Sequence, residues 1–216
     1  VTPAIPTLLA AVGGYLAGSM PFGYWLVRAL KHEDIRTSGS GGIGATNVWR
    51  TYGRWYGVPV VLLDVAKGFV PALLAVALVS HVAGVLAGAA AMLGHWRPVF
   101  LGFHKGGKMV ATCGGAFFGL APWAALGAGI VWILAFLLTR YSSVASLTAA
   151  VALPVLVYLT GKPWSVVGFA AAASLAVVVL HRTNIARLRA GTESRFSLRR
   201  RSSTPPTSGR RPRTSS

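Results

Sequence analysis

Residues 58–79 read VPVVLLDVAKGFVPALLAVALV, twenty-two residues with one Asp and one Lys among them. The run follows GSGGIG at 39–44, which taken alone matches the G-x-G-x-x-G pattern of a dinucleotide-binding loop, and Asp64 lies twenty residues beyond the last glycine. Such a loop needs a strand before it and an amphipathic helix after it, inside a βαβ unit. Neither flank fits. HEDIRTS upstream is too polar for a buried parallel strand, and ATNVWRTYGRWYG downstream leads straight into the apolar run. A nucleotide-binding α/β fold is therefore rejected, and 58–79 is read as part of a membrane span.

Composition agrees with that reading. Apolar residues make up 54% of the 216-residue chain and charged ones only 12%, with a mean hydropathy of +0.60, far from the soluble average. A helix needs roughly 20 predominantly apolar residues to cross about 30 Å of hydrocarbon. Seven stretches approach or exceed that length: 5–30, 56–80, 82–94, 110–120, 122–139, 144–160 and 164–180, separated by Gly, Pro and Ser. The expected fold is an all-α integral membrane protein, a compact bundle of about seven transmembrane helices. Because 82–94 and 110–120 are short, five spans is the alternative count.

With the N-terminus outside, every Lys and Arg except Lys162 falls on or near one face, which makes that face and the C-terminus cytoplasmic. The first stretch lacks a basic leader and continues into Arg28 and Lys31, so it reads as a retained span and not a signal peptide. Residues 1–193 are expected to form the membrane domain. Residues 194–216 hold seven arginines and no acid among Ser, Thr and Pro, which reads as a disordered basic cytoplasmic tail attracted to anionic headgroups. A monomer is expected, in contact with membrane lipid and with no nucleic-acid partner. Cys113 is the only cysteine, which excludes disulfides within the chain and cysteine-based metal sites. The only acids are Glu33, Asp34, Asp64 and Glu193, and no histidine has an Asp five residues later. Neither clustered carboxylates for a metal nor an H-x-x-x-x-D acyltransferase pair is present.

Polar residues return in blocks, all near the proposed cytoplasmic face. Two of them, around GSGGIG and around GFHKGGK at 102–108, combine glycines with bases. Glycine lets backbone N–H groups approach an anion, and adjacent Arg and Lys supply charge and donors. The second also fits G-x-x-x-x-G-K, but Met109 stands where a P-loop needs Ser or Thr. The pattern points to phosphate held by positioning and electrostatics.

Six blocks carry a resemblance: GSMPFG, DIRTSGSGGIGATNVWRTYG, DVAKGFVPA, LGHWRPVFLGFHKGGKMVAT, RYSSVAS and HRTNIARLRAGTE, running from Gly18 to Glu193. In this order and spacing the chain resembles the bacterial acyl-phosphate:glycerol-3-phosphate acyltransferase family. The resemblance implies a seven-helix bundle in the bacterial plasma membrane with its site open to the cytoplasm. It implies transfer of a fatty acyl group from acyl phosphate to the 1-hydroxyl of glycerol 3-phosphate, giving lysophosphatidic acid and phosphate without cofactor, metal or acyl-CoA. It also implies substrate-binding positions at Ser40, Gly41, Gly44, Thr46, Asn47 and Arg50, at Gly106, Gly107 and Lys108, and at Ser143 and Asn184, with His181, Lys108 and Ser143 in catalytic roles.

The residues alone also allow plainer readings. Arg50 and Lys108 fit juxtamembrane anchors, Ser143 fits an N-cap before 144–160, and His181 fits a helix-end imidazole on the last carbonyls. Asp64 and Lys67, three residues apart, read as a paired, partly buried structural bridge. The hydroxyl proton goes either to His181 or to a substrate phosphate oxygen. The alternative function is a degenerate member, or a membrane anion-binding or transport protein, without turnover. Two positions depart from the family pattern GSGNIGATN and GGKGVAT: Gly42 replaces Asn and Met109 replaces Gly, and both changes are expected to lower activity.

The orientation is checked by thiol accessibility in intact cells. A cysteine placed at Ser208 resists impermeant reagents and one at Gly161 reacts, whereas the reverse pattern would put the basic blocks outside.

Overall fold

The computed structural model describes residues 3–196 and contains helices but no strand among them. The helices are α1 Ala4–Ser19, α2 Phe22–Lys31, α3 Ala45–Tyr52, α4 Arg54–Leu78, α5 His81–Trp96, α6 Val110–Leu120, α7 Pro122–Thr139, α8 Ser142–Leu159, α9 Trp164–Leu180 and α10 Arg182–Arg189. Most of the expected tail, 197–216, lies outside the described residues.

All seven apolar stretches are helical, but not as seven full-length spans. Four are long and apolar enough to cross a bilayer: Ala4–Lys31 taken through its break, Arg54–Leu78, Pro122–Thr139 and Ser142–Leu159. A fifth arises if α9 and α10, bent by 55°, act together. At 1.5 Å per residue the 16 residues of α5 and 11 of α6 reach only about 24 and 17 Å. The polar helices α3 and α10 lie outside the apolar pattern, at the ends where the basic blocks cluster.

Small residues bring the helices together. A Cβ added at Gly14 or Gly18 of α1 would overlap the carbonyls of Ala87 and Ala91 on α5, and α4 and α6 approach equally closely at Gly68 and Gly115. Lipid tails are as apolar as leucine, so association in hydrocarbon rests on such close backbone contact and not on hiding apolar surface. Leu8, Leu62, Leu138, Leu159 and Leu175 accordingly stay exposed, as lipid-facing positions require.

The expected single helix over 5–30 is broken at Met20 and Pro21. Proline supplies no N–H to continue the ladder, Met20 becomes extended at ψ 112°, and its carbonyl leaves the helix. Lys67 on α4 donates to that carbonyl at 3.0 Å. The same ammonium lies 2.7 Å from Asp64 Oδ1, with both side chains 2% exposed, so the bridge is fully rather than partly buried.

Removing one partner of a buried ion pair strands the other charge and costs about 3–5 kcal/mol. Lys67→Met is therefore expected to lower the unfolding temperature in detergent, and Asp64→Asn added to it to recover part of the loss. Equal stability of Lys67→Met and the parent would show that the bridge holds nothing.

Candidate active site

The first glycine loop is built around Asn47, in the first turn of α3. Its Oδ1 accepts from the Ser40 N–H at 2.9 Å, while its Nδ2 donates to the carbonyls of Gly42 at 2.8 Å, Ser38 at 3.0 Å and Ile35 at 3.3 Å. Buried to 5% exposure, this amide pins the loop and has no donor left over for a ligand. Gly41 holds φ +68°, a conformation that disfavours side chains. Gly44 caps α3, and Ser40 and Thr46 are exposed beside it.

The second loop lies against the first, with Lys105 Nζ 3.4 Å from the Ser40 carbonyl. Its glycines serve packing. The N–H groups of Gly106 and Gly107 donate at 3.0 Å to the Trp96 and His95 carbonyls at the end of α5. A Cβ at either glycine would overlap His95. These two amides thus cap a helix and do not stand free for phosphate, as the sequence pattern had suggested. What this loop offers an anion is Lys108.

Lys108 Nζ donates to Asn184 Oδ1 at 2.5 Å, linking the second loop to α10. Asn184 Nδ2 in turn donates to Glu193 Oε1 at 2.7 Å. The same carboxylate accepts from Ser143 Oγ at 2.8 Å and from Arg187 Nε at 2.6 Å. Arg50 reaches in from the last turn of α3 and donates to Ser142 Oγ at 3.1 Å. Ser143 lies inside α8, whose N-cap position is Tyr141, so the capping reading does not hold. His181 ends α9 at 3% exposure, with Nδ1 2.8 Å from the Val177 carbonyl.

Charge in this cluster is unbalanced. Burial alone would raise the Glu193 carboxyl, but hydrogen bonds from Asn184, Arg187 and Ser143 outweigh it and hold the group below the ordinary carboxylate range. Burial pushes the Lys108 ammonium down to about 8; Glu193 opposes the shift, and Arg187, Arg50 and Lys105 add to it. Three cations, Arg50, Lys108 and Arg187, thus meet one carboxylate, and Arg50 Nε is buried without a hydrogen-bond partner among the described residues. That arrangement accommodates an anion.

The structure therefore brings Arg50, Lys108, Ser143, His181 and Asn184 to one end of the bundle, and gives Asn47, Gly106 and Gly107 loop-building contacts. Ser142 was not among the sequence-derived site positions, and Arg187 and Glu193, which the sequence places in a polar wall beyond His181 and Asn184, had no binding or catalytic role assigned. The available signal was that Glu193 is the only acid after Asp64 and sits within a basic block.

Residues 8–191 match the family model described as glycerol-3-phosphate acyltransferase. The glycerol-3-phosphate acyltransferase of Synechococcus sp. (strain JA-3-3Ab) is 47% identical over 192 residues, covering 89% of this chain and 94% of that protein. The crystal structure of PlsY (YgiH), an integral membrane glycerol 3-phosphate acyltransferase, in its glycerol 3-phosphate form superposes with a TM-score of 0.83 at 42% identity, covering 88% of this chain and 96% of that one. Its lysophosphatidic acid form gives 0.80 at 41% identity, with 88% and 95% covered. With the match running through the whole helical bundle, from α1 to the end of α10, this chain belongs to the glycerol-3-phosphate acyltransferase family.

Proposed function

We propose that this chain transfers a fatty acyl group from acyl phosphate to the 1-hydroxyl of glycerol 3-phosphate, giving lysophosphatidic acid and inorganic phosphate. The supporting observation is the net positive cluster of Arg50, Lys108 and Arg187 around a single carboxylate at one end of an apolar bundle. Family membership gives the reaction class, and the cluster suits two phosphates held side by side. We further propose seven crossings of the bacterial plasma membrane, with the N-terminus outside and this site cytoplasmic.

Acyl phosphate is an activated mixed anhydride, so the enzyme has chiefly to bring two anions together against their repulsion. The 1-hydroxyl oxygen attacks the acyl carbon, the bond from that carbon to the phosphate oxygen breaks, and phosphate leaves. Lys108 and Arg50 bind phosphate oxygens, while Glu193 holds Ser143, Asn184 and Arg187 in place. A carbonyl accepts only from a donor, so the contact to Val177 puts the neutral His181 proton on Nδ1 and leaves Nε2 as an acceptor. The hydroxyl proton passes to that nitrogen or to a phosphate oxygen of the substrate.

A Lys108 that titrates near 8 is charged below that pH and neutral above it, and a bound phosphate favours the charged form. Purified protein is expected to release phosphate from acyl phosphate only when glycerol 3-phosphate is present, equally with and without EDTA. The KM of the substrate held by Lys108 rises above about pH 8, and Lys108→Arg moves that limb upward. Loss of this charge-assisted contact in Lys108→Ala lowers kcat/KM by roughly a hundredfold or more. Turnover with acyl-CoA but not acyl phosphate would overturn the donor, and turnover with neither would favour a binding or transport role.

The two departures from the family pattern differ in kind. Met109 has φ +67°, the left-handed conformation in which glycine is at ease, yet its side chain is 3% exposed and packs with Met92, Cys113 and Phe117. The backbone cost is roughly 1–2 kcal/mol, whereas emptying a buried methionine site costs about 2–5 kcal/mol. Burial wins. A Cβ added at Gly42 meets only the Gly106 carbonyl and Ser40 Oγ, at 3.7 Å, and the position has no positive φ. Met109→Gly is therefore expected to lower the unfolding temperature by several degrees, masking any gain at the loop. Gly42→Asn keeps the parental stability and raises kcat/KM. Scanning fluorimetry beside initial rates checks both, and a stabilised Met109→Gly would show that the strain outweighs the packing.

A further inference from the structure

The family match ends at residue 191, yet the chain continues in ordered form across the site. Ser194 to Phe196, assigned to the disordered tail on sequence alone, pack against three helices. The Phe196 N–H donates to the Arg140 carbonyl at 2.9 Å, just beyond α7. Its ring stands edge-on to Trp49 of α3 at 6.0 Å and to Phe136 of α7 at 5.3 Å. Arg195 stacks over Tyr141, at the start of α8, at 5.2 Å. Most important for the site, the Arg50 guanidinium lies over the Phe196 ring at 5.0 Å and donates to the Ser194 carbonyl at 3.3 Å.

We propose that Ser194–Phe196 is a strap that orients Arg50 for substrate phosphate, with Phe196 as a positioning residue. The inference rests on the reading of Arg50 as a phosphate ligand. A free arginine side chain samples many rotamers, and binding an anion would require ordering it. Here the ring covers one face of the guanidinium, while Ser142 Oγ and the Ser194 carbonyl take one terminal nitrogen. The buried Nε has no hydrogen-bond partner among the described residues. The planar fork is thus fixed before substrate arrives, which lowers the ordering cost of binding. Phe196 touches no reacting atom. Its effect passes through Arg50 to the affinity for one substrate.

The test is steady-state kinetics of the full chain in detergent, varying each substrate in turn. Arg50→Ala first identifies the substrate whose phosphate Arg50 holds, as the one whose KM rises. Phe196→Ala is then expected to raise the KM for that same substrate about tenfold, leaving kcat and the other KM within about twofold. Phe196→Tyr restores the parental value, and Phe196→Leu, which keeps apolar bulk without an aromatic face, does not. A chain ended after Phe196 behaves as the parent, and one ended after Glu193 behaves as Phe196→Ala. Adding Phe196→Ala to Arg50→Ala produces no further loss, because the two act through one contact.

If Arg50→Ala leaves both KM values unchanged, the reading of Arg50 fails. If it raises one KM and Phe196→Ala does not, the strap fails alone. A parallel loss of kcat, of both KM values and of thermal stability in Phe196→Ala and Phe196→Leu would make the segment a structural clasp and overturn the proposal.

Discussion

A backbone carbonyl released inside a bilayer has to be satisfied by the protein, because the hydrocarbon offers no water to do so. Met20 presents such a carbonyl where the chain breaks before Pro21, and the Lys67 ammonium meets it. Asp64 neutralises the ammonium from one turn away on α4. The break then becomes a stable feature of the fold. Beyond the break α2 continues the first candidate span, and Gly23 in its first turn lies against the Ile43 carbonyl in the first glycine loop. Buried charge in α4 and loop position at the site are thus connected through one broken helix.

The same economy of backbone groups shapes the second loop. The carbonyls of His95 and Trp96 at the end of α5 need donors, and Gly106 and Gly107 supply them. Only residues without a Cβ approach that helix end closely enough. The glycines that look like a phosphate cradle therefore hold the loop down, and Lys108 one residue on is delivered to Asn184. Backbone fixes the geometry and side chains carry the charge.

At the far end of the chain, Glu193 collects Ser143, Asn184 and Arg187 from α8 and α10. One carboxylate organises this wall but cannot neutralise Arg50, Lys108 and Arg187 together. Burial, with the neighbouring cations adding to it, lowers the Lys108 ammonium, and the candidate site keeps an excess of positive charge.

Apolar run length pointed from sequence alone to a helical membrane protein, and six of the seven stretches reappear as single helices within about two residues of their expected bounds, the first being broken into α1 and α2. Six motif blocks likewise marked the family, and they hold most of the residues that the fold gathers in the candidate site. The sequence could not show which glycines face a ligand and which face a helix end, since the residue type is the same and only the neighbour differs. Nor could it show that Met109 is buried in spite of its left-handed backbone, or that Phe196, in a stretch of tail-like composition, packs on Arg50. The glycines and Met109 meet residues such as Trp96, His95 and Met92 on a neighbouring helix, and the contacts of Lys108 with Asn184 and of Arg50 with Phe196 join residues 76 and 146 apart along the chain. Periodicity and composition describe a residue's near neighbours in the chain, and only the folded bundle brings distant ones within bonding range.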